Sequence, residues 1–156
     1  MFKEGFPPII DDDTQVLILG SLPGDISISK QQYYANSNND FWKIIGTILH
    51  EPMPTEYNAR IKILHKHHIG LWDVYNSCIR ASSMDESITD RELNDFNLIK
   101  NRYAKIRLIC FNGKEAGLSE RAIQTMGFKT RILPSSSGAN RRNQDQRIRE
   151  WESILK

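Results

Sequence analysis

The chain has 156 residues, of which 39% are hydrophobic and 26% are charged, which suits one globular domain and leaves no room for a second. It has no apolar run near the roughly 20 residues of a membrane-spanning helix, and its first residues lack the charged and then apolar pattern of an export signal, so we expect a cytoplasmic protein. The formal net charge of +2 excludes the strongly basic class of nucleic-acid-binding domains, so any such affinity must be local.

Four short apolar runs alternate with helical patterns, which predicts a parallel sheet with helices on both faces. The predicted strands are residues 16–19, 69–74, 106–111 and 130–133. We therefore expect one α/β domain over residues 1–156, a three-layer α/β/α sandwich around a four-stranded parallel sheet. Apolar residues recur at helical spacing in four groups: Phe41, Ile44, Ile45 and Ile48; Leu93, Phe96 and Ile99; Ala116, Ala122, Ile123 and Met126; and Ile148, Trp151 and Leu155.

Neither the cysteines nor the histidines are spaced like a metal site. Cys78 and Cys110 lie far apart in apolar contexts, which in a reducing compartment indicates buried thiols. The histidines at 65, 67 and 68 have no carboxylate or cysteine at a recognisable ligand spacing, so we interpret them as solvated or helix-end residues. The three aspartates at 11–13 are interpreted as a solvated loop.

Three of the four predicted strands end in polar loops, and ligands bind at the carboxyl ends of strands in open α/β sheets. The loops are residues 20–24 (GSLPG), 112–114 (NGK) and 134–142 (PSSSGANRR). The first loop lacks both the Gly-Lys-Ser/Thr of a phosphate loop and the GxGxxG spacing of a dinucleotide site. We expect the three loops to face one cleft.

Amides and aromatic rings near these loops suit a pocket for a flat ring with polar edges, although each has a structural alternative. An amide can orient water or bond the edge of a base. On the residues alone, however, Asn39 is favoured as a cap for the helix starting near Phe41, and Asn112 as a turn residue. Tyr34 suits either a base-stacking role or the core, and Trp42 is assigned to the core.

The local patch best suited to nucleic acid lies near the end of the chain. It comprises Arg141 and Arg142 with Arg147 and Arg149, and its alternative is a solvated helix face. The first two arginines are predicted in the first turn of the last helix, where they oppose the helix dipole. A bound polyanion would offset that cost.

Residues 20–24, taken with the segment 32–42 (QYYANSNNDFW), resemble the first motif of the uracil-DNA glycosylase superfamily, most closely its hypoxanthine-DNA glycosylase branch. Residues 71–80 (LWDVYNSCIR) and 83–85 (SMD) resemble the same branch and are interpreted as sheet core and pocket wall. Residues 133–140 (LPSSSGAN) resemble the second motif of the superfamily. The resemblance covers nearly the whole chain and implies the fold of that superfamily.

The resemblance also implies roles for single residues. In the superfamily the residue before the motif proline is usually an Asp or Asn that handles the attacking water; here it is Leu22, and Asn39 takes over, as in the hypoxanthine branch. Phe41 is implied to stack on an extruded base and Asn112 to read its edge, with Tyr34 and Leu22 beside the base. DNA-backbone contacts are expected from Ser21, Gly24, Ser135, Ser136, Ser137, Asn140, Arg141 and Arg142. Asn140 or Arg141 is expected to fill the gap that the extruded base leaves in the DNA duplex.

The resemblance implies a monofunctional DNA glycosylase that extrudes a deaminated base, foremost hypoxanthine from deoxyinosine, and hydrolyses its N-glycosidic bond to leave an abasic site. We expect a monomer that binds double- or single-stranded DNA, near the nucleoid if its source is bacterial or archaeal, and that needs no metal or cofactor. One alternative is a uracil or xanthine glycosylase on the same fold, because uracil shows the same lactam edge. Another is a non-catalytic nucleotide- or nucleic-acid-binding module, because Leu22 replaces a catalytic residue.

Overall fold

The computed structural model describes residues 2–80 and 88–156, so the 83–85 segment lies outside the described residues. Strands and helices follow each other as expected for an α/β domain. In chain order they are β1 (Phe2–Glu4), β2 (Val16–Gly20), α1 (Asp25–Lys30), α2 (Phe41–Leu49), α3 (Tyr57–Lys66), β3 (Ile69–Asp73), β4 (Tyr75–Arg80), β5 (Ile88–Leu93), α4 (Phe96–Arg102), β6 (Leu108–Asn112), α5 (Lys114–Gly117), α6 (Glu120–Thr125), β7 (Thr130–Leu133), α7 (Gln144–Glu152) and a 3₁₀ turn (Ser153–Leu155).

A four-stranded parallel sheet with the order β3-β2-β6-β7 forms the centre of the fold, as predicted. Every residue of β2 and β3 is buried, because helices cover both faces of the sheet. In the strand register Gly20 lies opposite Asp73, and Asn112 lies opposite Leu133. The carboxyl ends of the four strands therefore lie at one edge of the sheet.

Each face of the sheet has its own apolar core, because successive residues of a strand point to opposite faces. Ile18 packs in one core with Phe41 of α2 and Trp151 of α7. Leu19 packs in the other core with Phe96 of α4. The predicted helical stripes at these positions are therefore confirmed as core, and they hold the helices against the two faces of the sheet.

A second, antiparallel sheet with the order β1-β4-β5 was not predicted. It contains Tyr75–Arg80, which we had assigned to the core sheet and the pocket wall. The helical stripe starting at Leu93 was also wrong, because Leu93 ends β5 and is 40% exposed. The helix begins at Phe96, and the Asp95 carboxylate caps it by accepting a hydrogen bond from the N–H of Leu98 (3.1 Å). Antiparallel strands need not carry a continuous apolar run, and residues 75–80 (YNSCIR) and 88–93 (ITDREL) lack one, which is why the sequence pattern did not predict these strands.

The other differences lie at the ends of elements. The pattern over residues 116–126 forms two short helices, α5 and α6, instead of one, and the third central strand starts at Leu108. The 3₁₀ turn after α7 places Ile154 in the core and leaves Leu155 40% exposed. Arg141 and Arg142 precede α7 instead of occupying its first turn.

Trp42 and Cys110 are buried, as predicted, whereas the side chain of Cys78 is not described. The three histidines lie at or just after the end of α3 and are half-buried or exposed. Within residues 2–80 and 88–156, no helix has the length and apolar character needed to cross a membrane. In that described part of the chain, no three or more His, Cys, Asp or Glu side chains are grouped so that they could hold a metal ion.

Replacing Gly113 with Ala should lower the free energy of unfolding by about 1–3 kcal/mol. Gly113 follows β6 with φ of 98° and ψ of 173°, a conformation that other residues rarely adopt, and an added Cβ would lie 3.1 Å from the Cβ of Ser135. Denaturant unfolding measures the change. Lys114→Ala, at the next and exposed position, should alter stability by less than about 0.5 kcal/mol, and equal stability of the two variants would contradict this account.

Candidate active site

The carboxyl ends of the parallel strands open into a cavity of about 560 Å³, within the usual size range of ligand pockets. The loops after β2 and β7 line it together with Asn112, the last residue of β6. The prediction of one shared cleft is therefore confirmed for these loops and for Asn112, whereas Gly113 and Lys114 do not line it. Phe41, Asn140 and Arg142 do not line the cavity. The predicted residues that do so are Ser21, Leu22, Gly24, Tyr34, Asn39, Asn112, Ser135, Ser136, Ser137 and Arg141.

The side-chain oxygen of Asn39 accepts two hydrogen bonds. One comes from the backbone N–H of Phe41 (2.9 Å) and the other from the hydroxyl of Ser136 (2.7 Å). The first bond caps the start of α2, although Asp40 holds the N-cap position, so a capping role and a place in the cavity are compatible. A carboxamide oxygen has two lone pairs, so a water molecule that binds this oxygen has to replace one of the two donors.

Ser136 is fully buried between Asn39 and Asn112. Its hydroxyl donates to Asn39 and accepts from Nδ2 of Asn112 (2.8 Å), and its backbone N–H donates to Oδ1 of Asn112 (2.9 Å). The backbone bond fixes which end of the Asn112 amide is oxygen. Both donors of Ser136 are used inside the site, where it connects the two asparagines, and its contact with the DNA backbone stays a prediction.

Tyr34 presents its ring to the cavity, whereas Phe41 lies behind it. Phe41 is completely buried and stacks on Tyr34, with 4.0 Å between ring centroids and 17° between ring planes, so the predicted direct stacking of Phe41 on a base does not fit this structure. The Tyr34 hydroxyl accepts a hydrogen bond from Nδ2 of Asn112 (3.2 Å). Its φ of 55° is uncommon outside glycine and often marks functional sites. The neighbouring Tyr33 is buried, and burial raises the pKa of its phenol.

Asp73, which was not predicted, adds a buried carboxylate to the cavity at the end of β3. A Cβ on Gly20 would lie 2.8 Å from Oδ1 of Asp73 and 3.2 Å from the Tyr34 hydroxyl oxygen, so Gly20 leaves room for two polar groups. Leu22 is 6% exposed and packs in the apolar core. The sequence does contain a signal for Asp73, because this carboxylate directly follows the apolar run 69–72, but the predicted strand 69–74 places it inside the strand.

Two arginines share the carboxylate of Asp40 beside the cavity. Arg141 donates to both carboxylate oxygens at 2.9 Å, and Arg147 donates to Oδ2 at 2.6 Å. These hydrogen bonds, led by that of Arg141, hold the pKa of Asp40 well below its ordinary value. Arg147 is only 3% exposed, so its assignment to a basic surface patch was wrong, whereas Arg142 and Arg149 are exposed.

Comparisons with known proteins agree with this geometry. A family model described as the uracil DNA glycosylase superfamily matches residues 7–155. A hypoxanthine DNA glycosylase of Methanosarcina acetivorans is 48% identical over 157 residues, and one of Methanosarcina barkeri is 45% identical; each alignment covers 100% of this chain and 99% of the relative. The solution NMR structure of a candidate uracil DNA glycosylase from Methanosarcina acetivorans has 49% identity and a TM-score of 0.90 over 99% of this chain and 97% of that one. The chain therefore belongs to the uracil DNA glycosylase superfamily.

Proposed function

We propose that this protein removes hypoxanthine from DNA containing deoxyinosine by hydrolysing the N-glycosidic bond, which leaves an abasic site. The observation that carries the proposal is that two carboxamides, of Asn39 and Asn112, meet across Ser136 in one cavity beside the ring of Tyr34. The choice of base is supported by two full-length relatives that carry the name hypoxanthine DNA glycosylase.

Asn112 and Tyr34 would recognise the extruded base. Hypoxanthine presents the O6 acceptor next to an N1–H donor, and bases outside the duplex are held by hydrogen bonds and stacking. The bond from Asn112 to the Tyr34 hydroxyl, at 3.2 Å, is longer than those of either asparagine to Ser136. O6 can therefore replace the phenol oxygen as acceptor. Asp73, which lies beside Gly20 as the Tyr34 hydroxyl does, would accept the hydrogen bond from N1–H.

Asn39 would orient the attacking water. Cleavage passes through a state with positive charge on the sugar and negative charge on the leaving base, so the protein has to supply a placed water and donors to the base. The Asn39 oxygen can hold water in exchange for the Ser136 hydroxyl, and it acts by orientation because an amide is a poor proton acceptor. The N–H groups of Asn112 would stabilise the leaving base.

The rim of the cavity would hold the DNA backbone. The side chain of Arg141 is 48% exposed, and it can exchange Asp40 for a phosphate because Arg147 remains as a partner of Asp40. Asn140 or Arg141 is the proposed residue that fills the gap left by the base. The other proposed backbone contacts are Ser21, Gly24, Ser135, Ser137 and the exposed Arg142.

Water is the proposed nucleophile, and the protein is proposed to act as a monomer on double- or single-stranded DNA. A glycosylase that also cuts the strand needs an amine that attacks the sugar. Lys30 and Lys114 are exposed, and no lysine is among the described residues that line the cavity.

Purified protein should release free hypoxanthine from deoxyinosine-containing duplexes faster than uracil from matched duplexes, and the product strand should break only after alkali. The measurement is base release by mass spectrometry together with gel analysis of the strand. Uracil is the second candidate, because its O4 and N3–H offer the same edge to Asn112 and Asp73. Uracil release without hypoxanthine release would replace the proposed substrate, and a borohydride-trapped adduct would replace water as the nucleophile.

Asn39→Ala should lower the single-turnover rate by roughly 100-fold or more, the scale of losing one preorganised polar group, with DNA affinity nearly unchanged. It should also lose about 1 kcal/mol of stability, because the Asn39 oxygen caps α2. Asp95→Ala is the matched control, since it removes a cap from α4, a helix outside the cavity. If both variants lose the same stability and neither loses rate, Asn39 is only a cap.

Replacing both Arg141 and Arg142 with Ala should weaken duplex binding and flatten its salt dependence. The slope of log affinity against log salt should fall by about 0.9 for each phosphate that the two arginines neutralise. Fluorescence anisotropy at several salt concentrations measures the slope. The control removes the same charge from the exposed Arg121 and Lys129. Equal slopes for the two double variants would place the DNA interface elsewhere.

A further inference from the structure

Arg147 is a buried cation that contacts two separate loops of the cavity. Its Nη1 donates to the backbone carbonyls of Asn140 (2.9 Å) and Ser135 (3.2 Å), and more weakly to that of Ser137 (3.5 Å). Its Nη2 donates to the carboxylate of Asp40 (2.6 Å). The guanidinium therefore joins the loop after β7 (residues 134–142, here called the serine-rich loop) to Asp40, which follows Asn39 in the chain.

The two loops that Arg147 joins are those that carry Asn39 and Ser136. Asp40 adds a second link, because its backbone N–H donates to the carbonyl of Ser136 (2.8 Å). Ser135 and Asn140, which Arg147 contacts, lie on either side of Ser136 in the chain. The Arg147–Asp40 pair therefore contacts the chain on both sides of the hydrogen bond from Ser136 to Asn39 (2.7 Å).

The shape of the side chain matters as much as its charge. A buried charge is costly unless it is paired and hydrogen-bonded. The two Nη atoms of Arg147 meet this condition with one carboxylate and several carbonyls, while its buried Nε has no hydrogen-bond partner among the described residues. The planar guanidinium directs its donors along fixed, separate directions, whereas an ammonium group is a single point of charge. Lysine at this position would keep the charge and the pairing with Asp40 but could not hold both loops in the same geometry.

We propose that Arg147 is a positioning residue for glycosidic bond cleavage: it sets the placement of Asn39 against Ser136 by holding Asp40 and the serine-rich loop together. The inference rests on the proposed role of Asn39 in orienting water. Arg147, predicted from sequence to lie on a DNA-binding surface, is thus assigned to the buried contacts that support the site. Rates depend steeply on such placement, since an error of about 1 Å can cost roughly 100-fold.

The test compares Arg147→Lys with Arg121→Lys, the same change at an exposed arginine of α6 that lies outside the predicted basic patch, in single-turnover assays on a deoxyinosine duplex. Arg147→Lys should lower the maximal single-turnover rate by roughly 10- to 100-fold and change the duplex concentration at half-maximal rate by less than about 3-fold, whereas Arg121→Lys should match the wild type. Thermal melts fix the folded fraction, to which all rates are normalised. A normalised rate for Arg147→Lys within about twofold of the wild type would overturn the proposal.

Combining each variant with Asn39→Ala shows whether Arg147 acts through Asn39. Residues that act as a unit have non-additive effects, so Arg147→Lys should cost less than about 3-fold once Asn39 is absent; a full, additive loss would overturn the proposal. If Arg147→Lys does not fold, Asp40→Asn, which weakens the same link, is tested in the same cycle with the same criteria. A wild-type rate for Asn39→Ala alone would instead refute the proposed role of Asn39, and a wild-type protein that releases no hypoxanthine would refute the proposed function, so these failures are distinguishable.

Discussion

The hydroxyl of Ser136 lies between the side-chain amides of Asn39 and Asn112, donating to one and accepting from the other. The first of these bonds joins residues 97 positions apart in the chain, so it exists only when the loops after β2 and β7 meet. Buried polar groups need partners, and this hydroxyl serves both amides at once. Before water binds, the same bonds hold the amides in fixed orientations. When water takes the place of the Ser136 hydroxyl on Asn39, the N–H of Phe41 would still hold that amide, which is the condition for preorganised stabilisation of a reacting group.

The parallel sheet makes this meeting possible because its strands end at one edge. Gly20 and Gly113 then allow close approaches that a side chain would prevent: Gly20 leaves room for Asp73 and Tyr34, and Gly113 turns the chain towards α5 beside Ser135. The apolar cores on both faces fix the strand ends, while Arg147 and Asp40 fix the loops that follow them. A polar site is thus supported by apolar packing beneath it and by a buried ion pair at its side.

The sheet was predictable from local pattern, because buried strands show as continuous apolar runs. The antiparallel sheet was missed because its strands lack that signal. The site roles of Asn39 and Asn112 came from the resemblance to the superfamily, because the residues alone favoured a helix cap and a turn. Helical spacing marks Phe41 as buried and the resemblance implies that it stacks on a base, but neither shows that Tyr34 covers it. The burial of Arg147 depends on carbonyls 7 and 12 residues away in sequence and on Asp40, which is 107 residues away, and no periodicity in one sequence reports such contacts.

The most direct test of the central claim is a crystal structure of the Asn39→Ala variant bound to a duplex containing deoxyinosine. The variant should keep the base attached, so the recognition state can be observed before cleavage. We predict that hypoxanthine lies in the cavity against the ring of Tyr34, with its O6 accepting a hydrogen bond from Nδ2 of Asn112. A base that remains stacked in the duplex, or one that binds outside the cavity and away from Asn112, would contradict the account.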